Sequence, residues 1–243
     1  RYQAGYQLSQ DLDHPDLQFV FVISEGTNVN GSDLVSGLNK GLGGKVPVTG
    51  GLSGDGARFE KTIVSLNGES AEGRIVAIGF YGDDLQVGFG TWGGWDAFGV
   101  ERKVTKAEHN IVFQIDNRPA LELYKDFLGD YAKDLPGSGL RFPLLLRDET
   151  ANEEVIRTIL GIDHESGSII FAGNIPQGSK VRLMKANFDR LVDGASLAAD
   201  KALNCTQDFK PELAILISCI GRKIVLGPRV EDELEEVSYI LGK

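Results

Sequence analysis

Three apolar runs of strand length follow one another closely at residues 61–66, 74–80 and 85–91, joined through Asn67-Gly68 and Gly82-Asp83-Asp84. Such dipeptides accept the backbone of tight hairpin turns, so the neighbouring strands are expected to lie antiparallel. Elsewhere strand runs at 18–23, 46–48, 100–104, 110–115, 142–146, 155–160, 168–172, 180–184, 213–217 and 223–226 are broken by single helical patterns. The helices are predicted near Leu34, Leu38 and Leu42 behind a Ser32-Asp33 cap, then at 120–131, 188–203 and 231–241. Runs of strands interrupted by single helices imply an α+β fold and not a strict parallel α/β one. The expected architecture is two layered α/β subdomains with mainly antiparallel mixed sheets, a first half over 1–99 and a second over 100–243.

The chain has 243 residues, 42% of them hydrophobic, which suffices to build real cores. Its formal net charge of −10 and the lack of a basic cluster argue against a nucleic-acid surface. Cys205 and Cys219 sit in unlike contexts and offer no disulfide framework, so a reducing compartment fits best. No secretory segment or run of membrane-span length is visible, which makes a cytoplasmic location and no membrane partner the expectation. The chain opens on Arg1 and stops shortly after Leu241, so both ends read as cuts through a longer protein.

The stretch Ile217-Ser218-Cys219-Ile220-Gly221-Arg222 gathers a thiol and a guanidinium where the apolar run 213–217 ends. A continuous apolar run reads as a strand buried on both faces, and polar groups at a strand end are well placed to meet a ligand. Arg222 is suited to fork onto a carboxylate or phosphate, or else to close a salt bridge with the acidic segment 231–236. Cys219 is either part of that site or a small structural hydrophobe.

Residues 37–56 hold eight glycines around the short run 46–48. The loop containing Gly50, Gly51, Ser53 and Asp55 lacks the Lys and Ser/Thr of a phosphate-binding loop, and a strand follows it, so a nucleotide site is not expected. Its glycines either permit close backbone approach at a cleft, with Ser53 and Asp55 as polar groups, or form a plain turn. Trp92 and Trp95 share one flexible element and serve equally well as walls for a ligand or as lids on a core. Asp116-Asn117-Arg118-Pro119 reads as the start of a helix with Leu121 and Tyr124 packed inward.

His14, His109 and His164 are scattered, and none stands at metal-ligand spacing, so no metal is expected. A haem needs only one axial His or Cys, so spacing leaves haem open. Cys219 has no nearby His, no nucleophile elbow occurs, and no carboxylate pair stands in a glycine-framed loop. Nothing demands an enzyme.

In order, the strings GGLSGDG, GTWGGWDAFG, VTKAEHNIVFQID, RPALELY, a Pro-Leu strand, IRTIL, SIIFAG-NIPQG and ISCIGR run along the chain. Together they resemble the FIST sensory domain, both halves, over nearly the whole length. The resemblance implies a ligand-binding input module proposed to sense small molecules such as amino acids. It also implies a signalling output partner such as a histidine kinase, chemoreceptor or cyclic-dinucleotide enzyme. Some relatives are haem-based nitric oxide sensors. The family's motif positions fall on Gly50, Gly51 and Asp55, on Gly94 and Trp95, on Pro119, Ala120, Leu121 and Tyr124, and on Cys219, Gly221 and Arg222. The family pattern continues into a Gly-Phe-Tyr strand and a Gly-Glu-Ile ending that lie beyond this sequence.

The expected function is therefore reversible recognition of an amino acid or small carboxylate in a cleft between the halves, without catalysis. Arg222 would anchor the acid, Trp95 would wall the apolar part, and amides near residues 50–55 would donate hydrogen bonds. A haem sensor, a hydrolase or transferase with a base near Cys219 or Ser53, and a partner-binding scaffold stand as alternatives.

Overall fold

A computed structural model describes residues 1–148, 153–205 and 210–242. The first half contains α1 (Tyr2–Leu12), β1 (Leu17–Ser24), α2 (Gly31–Gly41), β2 (Val48–Leu52), the hairpin β3 (Val64–Leu66) and β4 (Glu69–Ala71), and β5 (Ile75–Tyr81). Strand order is β2-β1-β5, with β1 parallel to β2 and antiparallel to β5. The parallel pair arises because α2 carries the chain back across the sheet between β1 and β2.

The sequence reading missed α1. Its packing explains why a short, weakly apolar segment is helical: Gly5 and Ser9 face Gly37 and Gly41 of α2. A Cβ at Gly5 would fall on the Leu34 carbonyl, and one at Gly37 on the Tyr2 carbonyl, so the two backbones touch. Small residues four apart on each helix are the signal that could have been read. The cap of α2 is also corrected: Asn30 accepts from the Asp33 amide, in place of a Ser32-Asp33 cap.

The second sheet has eight strands. β6 (Trp95–Glu108), β7 (Ile111–Ile115), β8 (Arg118–Pro119), β9 (Leu144–Asp148), β10 (Glu153–Arg157), β11 (Ile159–Asp163), β12 (Ser168–Phe171) and β13 (Lys180–Ala186) run in the order β10-β9-β13-β6-β7-β12-β11, with β8 on β7. Every pairing in it is antiparallel. The α+β class with mainly antiparallel mixed sheets is thus the observed one. β6 is one strand through the expected border at 99/100 and pairs with β13 along its first part and β7 along its last. Helices α3 (Ala120–Leu128), α4 (Phe188–Leu203), α5 (Ile220–Leu226) and α6 (Val230–Leu241) complete the chain. The main core lies in this half, between the sheet and α3.

Several expected strands are corrected. Residues 85–91 form no ladder; Gly90 lies so close to α4 that a Cβ there would meet the Ala198 carbonyl, which holds the segment away from a sheet. The run 213–217 is not a buried strand: it lies outside regular structure, with Leu213, Ile215, Leu216 and Ile217 all exposed. Ile217 sits over Gly51 and Ile220 over Gly54, so the segment follows the edge of β2 without a hydrogen-bonded ladder among the described residues. Residues 223–226 belong to helix α5, because Cys219 Sγ caps it and Arg222 and Leu226 bury at a four-residue spacing. The strand expected at 46–48 begins at Val48 and carries Gly50 and Gly51 inside it.

Candidate functional site

Arg222 is nearly buried, at 7% exposure, and α6 supplies its counter-ion. Its Nε donates to Glu233 Oε1 at 2.5 Å, and its two terminal nitrogens donate to the carbonyls of Gly93 and Leu191. Ser218 Oγ donates to the other Glu233 oxygen at 2.9 Å. The guanidinium lies 5.9 Å from the Trp95 ring, whose Nε1 is buried with no partner among the described residues. A buried, doubly satisfied ion pair of this kind clasps α4, α5, α6 and the 93–95 segment. An acidic ligand could reach Arg222 only by displacing Glu233, so of the two roles weighed for this arginine the salt bridge is the one occupied here.

The glycine-rich segment is likewise used internally. In β2, a Cβ at Gly50 would fall on the Val22 carbonyl, so glycine is needed for strand contact. Ser53 donates from its amide at 2.8 Å and from Oγ at 3.0 Å to the Ser24 carbonyl, tying the ends of β1 and β2 together. The Asp55 carboxylate accepts from the amides of Phe59, Glu60 and Lys61 and folds its loop into a turn. Burial pushes its pKa up, but those three amides outweigh burial and hold it below the usual range. Cys219 is exposed, and its Sγ accepts from the Gly221 amide at 3.3 Å. Among the described residues no hydrogen bond joins Cys219 or Ser53 to a histidine or a carboxylate.

The predicted residues therefore form two groups: Trp95 with Arg222, and Gly51 with Ser53 beside the segment leading to Cys219. His14 lies in a surface dip of about 340 Å³ lined by Asp11, Asp13, Asp16 and Tyr81, while His109 and His164 are exposed. Carboxylates around a histidine do not fit an apolar macrocycle, so the haem alternative gains no support from these residues. No group of metal-ligating side chains occurs among the described residues.

Sequence reasoning missed the polar cluster where the halves meet. β1 ends at Ser24, and Glu25, only 1% exposed, turns the chain by accepting from the Thr27 amide at 2.6 Å, the Thr27 hydroxyl, the Asn28 amide and Thr62 Oγ1. Burial pushes the Glu25 pKa up, yet these donors together hold it below the usual carboxylate range. Across the seam, Asn174 donates from its amide to Ser32 Oγ at 3.0 Å and from Nδ2 to Asp33 Oδ1 at 3.1 Å, and accepts from Asn30 Nδ2 at 2.6 Å. The Gly31 amide donates to the Ala172 carbonyl. Arg157, at the end of β10, donates from Nε to the Asn174 carbonyl at 2.8 Å. The signal for this cluster was Asn174 and Arg157 in the NIPQG and IRTIL strings, taken there only as family markers.

Two domain families match consecutive parts of the chain. The FIST N domain matches residues 1–118 and the FIST C domain residues 120–243. An uncharacterized protein of Methanocaldococcus jannaschii, MJ1623, is 26% identical over 249 residues, covering 96% of this chain and 46% of that protein. The chain thus spans about half the length of the curated relative it matches. No solved structure matches it significantly. With both domains matched in order along all but one residue, the chain belongs to the FIST family.

Proposed function

We propose that this chain is a small-ligand-recognition module that reads an amino acid or small carboxylate at the seam between its halves and passes the result to a signalling output. FIST domains are recognised as sensory domains of signal-transduction proteins, and the family is not known as enzymatic. The observation that carries the reading is the convergence of Asn30, Ser32 and Asp33 from the first half with Arg157 and Asn174 from the second, beyond the carboxyl ends of the parallel strands β1 and β2. Crevices outside such strand ends are where open sheets with parallel strands hold ligands. Gly51 and Ser53 belong to the same strand ends, whereas Arg222 and Trp95 brace the helices behind them. The output partner is a histidine kinase, chemoreceptor or cyclic-dinucleotide enzyme by family resemblance, and the setting is cytoplasmic. No helix among the described residues is long and apolar enough to cross a membrane.

A thermal-shift screen of the chain against amino acids, small carboxylates and haemin tests this, because a ligand of the native state alone raises the melting temperature. A rise with one acid class supports the reading; a flat response from folded protein overturns it. A second reading, a partner-binding scaffold, is favoured by the exposed apolar run 213–217 along the edge of β2. It would show as a flat screen together with recruitment of a partner through that edge.

A further inference from the structure

Four arginines are at least partly buried, and three are neutralised: Arg74 by Glu69, Arg102 by Asp116 and Arg222 by Glu233. Arg157 is the fourth, and among the described residues it has no carboxylate within ion-pair distance. Its Nε is engaged by the Asn174 carbonyl and one terminal N–H makes a long 3.5 Å contact to the Ile156 carbonyl. A guanidinium carries five N–H donors, so the rest of the fork has no partner among the described residues. Partial burial without a counter-ion draws its pKa down, the direction expected of a cation removed from water and left uncompensated.

The backbone around it is cut back to make room. Gly173 stands between the two halves here, and a Cβ on it would come 2.6 Å from Ser32 Oγ and 3.3 Å from Arg157 Cζ. Glycine leaves a small gap between a hydroxyl and a guanidinium. On the other side of Asn174 is an anion: Asp33 Oδ1 accepts from Asn174 Nδ2, and Oδ2 has no partner among the described residues. One asparagine thus touches a cation through its main-chain carbonyl and an anion through its side-chain Nδ2, with both charges only partly buried and not paired to each other.

We infer that this cluster is the polar subsite for a zwitterionic acid, with Arg157 and Ser32 taking the carboxylate and Asp33 the ammonium of an α-amino acid. The inference rests on the small-ligand reading above and names its charged anchors. A dianion such as phosphate is disfavoured because Asp33 would repel it, whereas a zwitterion satisfies both charges at once.

Calorimetric titration of the chain with the free α-amino acids, and with the des-amino acid and decarboxylated amine of any binder, reads this directly. Arg157→Met is expected to weaken the amino acid by about tenfold or more, the loss of a charge-assisted fork, with Arg157→Lys intermediate. Asp33→Asn should weaken the amino acid and leave the des-amino acid unchanged, erasing the preference between them. If Arg157→Met does not fold, that preference in Asp33→Asn decides the matter alone. An amino acid bound with an unchanged Kd by Arg157→Met, or a preference kept by Asp33→Asn, overturns the subsite while leaving the sensory reading intact. A folded chain that binds a small carboxylate but no amino acid overturns the subsite alone, and one that binds neither overturns both.

Discussion

The eight-stranded sheet rests on one continuous core in which Val104, Val112, Ile159, Ile169 and Phe171 are fully buried, whereas two clusters of four and three buried residues back the three-stranded sheet. The first half compensates with backbone contact between α1 and α2 and with the polar closure around Glu25. Burial strength and packed volume therefore reside in the second half, and the polar loops in the first. A seam between a stiff body and a more weakly held one is well suited to opening and closing around a ligand, since low local stability accompanies regions that must move.

The largest effect should come from the core itself. Phe171→Ala is expected to cost roughly 3–5 kcal/mol in urea unfolding, and Leu38→Ala in the first half about 2–3 kcal/mol. Equal costs would break the comparison. Next is the clasp: Glu233→Ala strands a buried guanidinium and should cost roughly 3 kcal/mol, while Arg222→Met combined with Glu233→Leu should recover most of it. A double variant as unstable as the single one would show that the pair does more than neutralise charge.

The loop of the first half gives a smaller and pH-dependent effect. Because the folded pKa of Glu25 is depressed, its stabilisation is present above the ordinary glutamate value of about 4.3 and is lost as pH falls through the lower folded value. Glu25→Gln should cost about 1 kcal/mol near neutral pH and flatten the acid limb of a stability-versus-pH curve. An unchanged acid limb would place the acid sensitivity elsewhere, with Asp55 the next group to test. Smallest of all, Arg118→Ala removes exposed pairs to Glu122 and Asp126 and should leave the melting temperature unmoved.

Helix 188–203 was legible from Leu191, Ala195 and Ala198 at helical spacing, and its start is fixed locally by Asn187, which accepts from the Arg190 amide. Likewise β7 and β13 lie beside clear turns, and their expected bounds differ from those observed by a residue or two. The run 213–217 has the right composition for a strand but no aligned ladder, and no property of the run itself reveals whether a neighbour's amides will face it. Arg222 was found from its place in the sequence, with both of its candidate roles. Choosing between them needed the position of Glu233, eleven residues away on another helix.

What the sequence determined by itself was the set of local preferences: most helices and turns, sufficient apolar residues for a core, and family motifs in a fixed order. What only tertiary structure decided was which charges meet. Arg157 and Arg222 are alike as letters in a chain, yet folding brings a carboxylate to Arg222 and none among the described residues to Arg157. Coulomb attraction and desolvation depend on distances across the fold, and spacing along the chain does not fix those distances.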